Sequence, residues 1–185
     1  MLFLGIDPGS RKAGFGLIEQ KGRTFKYIDS GSLAYDKVPN FMDRLGLIYD
    51  SCDALIKKYD PDEIAIESLI YVKSIPSLAK LAQARGAMIA AFMRTHQEKV
   101  FEYSPNLVKS TVSGHGHATK ESLEKGLKLI LGVGLEFKSH DESDAVAIAL
   151  CHGLMRNVPM GKKGHAKTLK GGSSLKQAFR HLENS

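Results

Sequence analysis

Only two cysteines occur in 185 residues, Cys52 and Cys151, and neither belongs to a Cys-x-x-Cys pair or any other ligand pattern. That scarcity argues against a disulfide scaffold or a zinc site and suits a reducing cytoplasm. Long apolar runs are missing too. The first one, Leu2-Phe3-Leu4-Gly5-Ile6, is too short for a signal or membrane segment, so no membrane association is expected. Net charge is also absent from most of the chain: residues 1–150 hold 19 Lys+Arg and 19 Asp+Glu. All of the +6 lies in residues 151–185, which carry seven basic residues and a single acid, Glu183. A basic tail of this kind either binds nucleic-acid phosphates through counterion release or merely keeps a protein soluble. Charge alone leaves both open.

What is present reads as an ordinary globular protein, with 43% hydrophobic and 25% charged residues. The length fits one domain with a proper core. We expect that domain over residues 1–158 and a flexible basic tail over 159–185, where Gly, Lys and Ser take over.

Alternating and β-branched residues predict three consecutive strands, near Leu2–Asp7, Gly14–Gln20 and Thr24–Ala34. Apolar residues at helical spacing from Phe41 predict an amphipathic helix to about Tyr59, broken by Pro61-Asp62. Glu63–Glu67 is a short buried strand, Ser77–Thr95 an Ala/Gly-rich helix, and Val100–Tyr103 a fifth strand. Ser104-Pro105 reads as an N-cap with Pro at the first helical position, starting a short helix. Lys120–Leu131 is helical, and Ser139-x-x-Glu142 is a capping box opening the last helix, to about Arg156. A meander followed by alternating strands and helices implies a mixed α/β layer fold.

Four acids fall at telling places in that scheme. Asp7 and Glu67 each end an apolar strand, while Asp141 and Asp144 open an Ala-rich helix and share a face of it. If the strands of Asp7 and Glu67 lie parallel and adjacent, both carboxylates sit at carboxyl ends, where open α/β sheets build their sites. Carboxylates gathered at low dielectric repel one another unless a proton or cation neutralises them, and hard divalent ions favour oxygen ligands. The pattern suggests metal-assisted phosphoryl chemistry.

Six motifs then occur in order: Gly5-Ile-Asp-Pro-Gly-Ser-Arg-Lys-Ala-Gly-Phe-Gly, Ala65-Ile-Glu-Ser, Gln83-Ala-Arg-Gly, Val108-Lys-x-x-Val, Gly114-His-Gly-His-Ala-Thr-Lys and Asp141-x-x-Asp-Ala-x-Ala-Ile-Ala. Together, from Leu2 to about His152, they resemble the RuvC family of bacterial Holliday-junction resolvases. The resemblance implies a ribonuclease H-like fold with a mixed five-stranded sheet flanked by helices. It also implies a homodimeric, Mg²⁺-dependent endonuclease of recombination and repair, working in the cytoplasm with the family's branch-migration motor, RuvA and RuvB. Asp7, Glu67, Asp141 and Asp144 match the family's metal carboxylates, which hold two ions per subunit, roughly 3.5–4 Å apart. Mn²⁺ would be a substitute for Mg²⁺. Lys120 matches a lysine near the reacting phosphate and Lys109 a second basic position on the DNA face.

Other assignments are looser. The family often stacks an aromatic side chain on an opened base three residues after the catalytic Glu; here that position holds Ile70, followed by Tyr71. Lys73 and Lys80 are candidates for the same groove, with a solvated helix face as the alternative. His115 and His117 border a loop that either touches DNA or is simply solvated, and His140 adjoins Asp141. The Ala/Gly-rich helix matches the family's dimerisation segment, although small residues equally let a helix lie close on its own core. Three other readings fit less well. An RNA-trimming ribonuclease H-like relative usually lacks the full four-acid pattern and the Gln-Ala-Arg-Gly segment, an actin-like ATPase needs a second domain, and an inactive junction binder would lose a carboxylate.

Overall fold

The computed structural model describes residues 1–69, 74–116, 119–156 and 167–168. Strands β1 (Leu2–Asp7), β2 (Lys12–Lys21) and β3 (Thr24–Ala34) form the expected antiparallel meander. Strand β4 (Glu63–Glu67) pairs parallel to β1, and β5 (Val100–Tyr103) pairs parallel to β4. The five-stranded mixed sheet is thus present, with a two-residue addition at its edge. Lys167–Thr168, β6, lies antiparallel to β5 and falls inside the stretch assigned to the tail; the rest of residues 159–185 lies outside the described residues.

Helices cover both faces of this sheet. On one face α1 (Phe41–Tyr59) and α2 (Ile75–Met93) bury Ile48, Cys52, Ala84, Met88 and Phe92 against Leu4, Ile6, Leu17, Ile64 and Ile66. On the other, α3 (Pro105–Ser113), α4 (Lys120–Leu131) and α5 (His140–Met155) pack on Phe3, Ile18 and Ala65. The alternation along β1 and β4 decides which face each acid joins. Leu4, Ile6, Ile64 and Ile66 point one way, so Gly5, Asp7, Ala65 and Glu67 point the other, toward α5.

Capping residues set where the helices begin. Asn40, Ser74, Ser104, Thr119 and Ser139 each accept a hydrogen bond from a backbone N–H in the first turn. At α5 the predicted capping box forms in a modified way: Ser139 accepts from Glu142 N–H, while the Glu142 carboxylate accepts from Lys138 N–H. The Ala/Gly-rich helix starts two residues earlier than its composition suggested, because Ser74 caps it and Pro76 occupies its first turn.

Helix α5 is buried along almost its whole length and runs antiparallel to β1. Its path is cut into the sheet by missing side chains. A Cβ on Gly5 would lie 2.1 Å from the Ala145 carbonyl oxygen, one on Gly14 1.8 Å from the Asp141 carbonyl, and one on Gly16 2.6 Å from Val146. At the far end His152 is 1% exposed. It is bonded to the Tyr103 hydroxyl at Nδ1 and to the Glu63 carboxylate at Nε2, each at 2.7 Å. The carboxylate–imidazole pair makes Nε2 the donor and Nδ1 the acceptor for the tyrosine. Arg156 adds a second bond to Glu63, so both ends of α5 are tied to the sheet.

Candidate active site

The parallel register pairs Ile6 with Ile66, which brings Asp7 and Glu67 side by side at the carboxyl ends of β1 and β4. The glycine track in β1 and β2 lets the amino-terminal turn of α5 descend onto these strand ends, delivering Asp144 with Asp141 beside it. All four acids are half-buried. Their mutual fields are strong. Burial, then the charges of Glu67, Asp144 and Asp141, push the Asp7 carboxyl up to about 8, with Lys120 opposing. Burial and Asp144 push Glu67 up to about 7, opposed by Lys109. Asp144 is also raised, chiefly by burial, against the pull of Lys120, Lys109 and His140.

Those interactions place Lys120 and Lys109 around the acidic group as well. Lys120 is the first residue of α4 and is exposed; Lys109 is half-buried on α3. The amino termini of α4 and α5 both open here, adding positive potential that favours bound carboxylates or phosphates. His115 is exposed in the loop after α3. His140 points its Nδ1 to Glu124 of α4, 3.7 Å away. Ile70, Tyr71, Lys73 and His117 lie outside the described residues.

Among the described residues no three carboxylate, imidazole or thiol groups close into a ready-made metal shell. Asp141 is in addition engaged elsewhere. Its Oδ2 is engaged by Lys12 Nζ at 3.1 Å, so one of the four acids is turned toward a competing cation. The donor chemistry nevertheless fits a hard divalent ion, because an all-oxygen acidic group with raised carboxyl pKa values is one that lacks positive charge. A shell that includes Asp141 Oδ2 requires that oxygen to leave Lys12.

Two supporting side chains were not singled out from sequence. Arg85, 8% exposed, donates from Nε to the Glu67 carbonyl oxygen at 2.9 Å and pairs with the Glu102 carboxylate. Its signal was a lone charge on the otherwise apolar face Ala84–Met88–Ala91 of α2. Lys12 was the other. It stands two residues before Gly14 on the same face of β2, a period-two relation that aims it at Asp141 once α5 is known to lie there.

Known proteins with this sequence and shape form a consistent set. The family model described as crossover junction endodeoxyribonuclease RuvC matches residues 3–152. The RuvC of Trichlorobacter lovleyi is 44% identical over 152 residues, covering 82% of this chain and 84% of that protein. T. thermophilus RuvC in complex with a Holliday junction substrate aligns with a TM-score of 0.77 at 27% identity, covering 84% of this chain and 94% of that one. A second Thermus thermophilus RuvC structure aligns at 0.76 and 28% identity, covering 91% and 100%. The sheet flanked by helices described above is the ribonuclease H-like fold of these structures.

Proposed function

Because the chain belongs to the RuvC family of crossover junction endodeoxyribonucleases, we propose that it resolves Holliday junctions by paired, symmetric nicks that leave 5′ phosphates, in recombination and DNA repair. The observation that carries this reading is the meeting of Asp7, Glu67 and Asp144 at two strand ends and one helix start, where Asp7 and Glu67 hold protons far above the usual carboxylate range. Such a group is incomplete without added positive charge. Asp7, Glu67, Asp144 and a released Asp141 are the residues that would hold it, with Mg²⁺, two per subunit, as the proposed ion and Mn²⁺ its substitute.

When bound, the divalent ions supply an activated water and charge neutralisation at the departing oxygen. The chain's own residues do the rest. Asp7 and Glu67 are fixed by the strand register, and Asp144 by the capped turn of α5, so the oxygen ligands are oriented before substrate arrives. Lys120, at the start of α4, offers its ammonium group to the negative charge that develops on the phosphate. Lys109, on α3, steers the strand. His115 and His117, and the segment holding Ile70, Tyr71 and Lys73, are further proposed DNA contacts.

A junction with two-fold symmetry needs two related cuts, which an isologous homodimer supplies. In support, Ala79, Ala82, Gly86 and Ala90 form an exposed small-residue stripe on α2 while Ala84, Met88 and Ala91 face the core. Residues 1–158 would be the nuclease domain and 159–185 a basic extension. Among the described residues no helix is long and apolar enough to cross a membrane, and we place the protein in the cytoplasm with the RuvA and RuvB motor as partner.

The test is cleavage of labelled four-way junctions, linear duplex and RNA hairpins with Mg²⁺ or EDTA. Symmetric, Mg²⁺-dependent nicks restricted to the junction are expected, and Asp7→Asn should abolish them while leaving binding intact. Equal cutting of linear duplex or RNA would sink the reading.

A further inference from the structure

Beside the acidic group, on the other face of the sheet, lies a cleft of about 530 Å³ lined by Ser10, Arg11, Asp36, Arg44, Ser77 and Lys80, with Pro39 on its wall. Its floor is unusual in charge. Arg44 is 8% exposed, and its guanidinium donates only to main-chain carbonyls, those of Ser10 (3.1 Å), Val38 (2.8 Å from one amino group, 3.1 Å from Nε) and Pro39 (3.4 Å). Those neutral acceptors satisfy its hydrogen bonds but leave its charge uncompensated, and a buried charge normally has a counter-ion. Among the described residues no carboxylate lies within ion-pair distance of Arg44, Arg11 or Lys80. Asp36 lines the same cleft without pairing to any of them, so three cations face one acid.

The cations are also held near one another. Arg44 and Lys80 lie on the ring of Phe41, at 6.0 and 5.8 Å from its centroid, which brings the start of α2 against the start of α1. Ser10 contributes a hydroxyl group to the lining, while Ser77, in the first turn of α2, already donates its hydroxyl to Ser74 Oγ at 3.0 Å. The Arg11 guanidinium, the Lys80 ammonium and the Ser10 hydroxyl around one concavity are donors that a phosphate takes.

We propose that this cleft is a phosphate subsite that holds a backbone phosphate of the DNA strand away from the bond that is cut. The assignment rests on the resolvase reading for its substrate. Its position fits that role, since Ser10 follows Asp7 by three residues. A chain of three residues spans at most roughly 11 Å. With one phosphate per ~3.4 Å of axial rise on a strand, the held phosphate lies within about three nucleotides of the carboxylates. The subsite would fix the register of the strand, and Lys109 and Lys120 would act at the cut itself.

The experiment uses the full chain carrying Arg11→Gln or Lys80→Gln, both at exposed positions, with Lys57→Gln as control because Lys57 already pairs with Asp53. Junction affinity is measured in EDTA from 50 to 200 mM salt, with the thermal midpoint recorded to verify folding. One lost phosphate contact lowers the salt slope by about one, so wild-type affinity should fall roughly threefold more across that range than either variant's. A junction carrying a single methylphosphonate should weaken wild-type binding at one position and leave the variants indifferent to it. Wild-type affinity and slope in both variants would overturn the proposal, even while the wild-type protein cuts junctions normally. Inorganic phosphate supplies the other arm. If it raises the thermal midpoint of the wild type alone while junction binding is the same in all proteins, the cleft takes a small free anion and the strand assignment is wrong. Failure of the wild type to cut junctions would overturn the resolvase reading instead.

Discussion

Lys12 Nζ sits 3.1 Å from Asp141 Oδ2, so the acid that opens helix α5 is paired with the first residue of the neighbouring strand. Both side chains are partly exposed, and such a pair is worth ~0.2–1 kcal/mol. A divalent ion that takes Asp141 as ligand must break this pair and tolerate a nearby ammonium. Lys12→Met should therefore tighten Mg²⁺ or Mn²⁺ binding by up to about fivefold, the most those energies allow. Isothermal titration of the DNA-free protein measures it directly. Equal or weaker ion binding in the variant would show that Lys12 does not compete.

The protonation of the acidic group predicts how stability depends on pH. Burial and neighbouring charge raise Asp7 to about 8 and Glu67 to about 7, well above their values in an unfolded chain. Between roughly pH 4 and pH 8 the native state therefore binds more protons than the unfolded state, and stability falls as pH rises through that window. Below it both groups are protonated in both states and the penalty vanishes. Divalent ions should flatten the profile by replacing the protons as counter-charge. Urea denaturation at several pH values, with EDTA and with Mg²⁺, tests this. A metal-free profile that rises from pH 5 to 8 at fixed ionic strength would contradict the assignment.

Much of this was legible in the chain because its signals are local. The period-two runs, the Pro61-Asp62 break and the caps at Ser104 and Ser139 locate the elements. The acids at strand ends became neighbours as soon as β1 and β4 were parallel. Three things resisted. The two-residue strand Lys167–Thr168 has no periodicity to read. The role of Arg85 depends on a carbonyl and a carboxylate brought from β4 and β5, which no local pattern encodes. The Lys12–Asp141 pair spans 129 positions and exists only because glycines let α5 settle against β2.

Those glycines make a prediction of their own. A methyl group at Gly14 would lie 1.8 Å from the Asp141 carbonyl oxygen, with backbone rather than a flexible side-chain tip in the way. Gly14→Ala must push the start of α5 outward. Overpacking of this sort costs ~1–3 kcal/mol. The larger effect should be on cleavage, since Asp141 and Asp144 move with the helix, and a displacement of about 1 Å can cost ~100-fold in rate. Gly46→Ala is the control, because a methyl there meets nothing within 4 Å. Near-wild-type cleavage by Gly14→Ala would mean that α5 is not positioned by this contact.

Arg85 holds Glu67 from behind, and its geometry separates a positioning role from simple packing. One edge of the guanidinium bonds the Glu67 carbonyl at 2.9 Å while another pairs with Glu102, a two-sided grip that a lysine ammonium lacks the planar fork to reproduce. Arg85→Lys keeps the charge beside Glu102 and so should preserve most of the stability, within ~1–2 kcal/mol of wild type. It loses the directed bond to the strand end that carries Glu67. The expected result is a fall of about tenfold or more in the turnover of saturated junction, with junction affinity nearly unchanged, the signature of a lost orientation rather than lost binding. Arg85→Met leaves Glu102 unpaired in a mostly buried setting and should lose stability as well, part of which Glu102→Gln in the same chain should restore. If Arg85→Lys turns over at the wild-type rate, the bond to the Glu67 carbonyl is packing alone and the strand register suffices to aim the carboxylate.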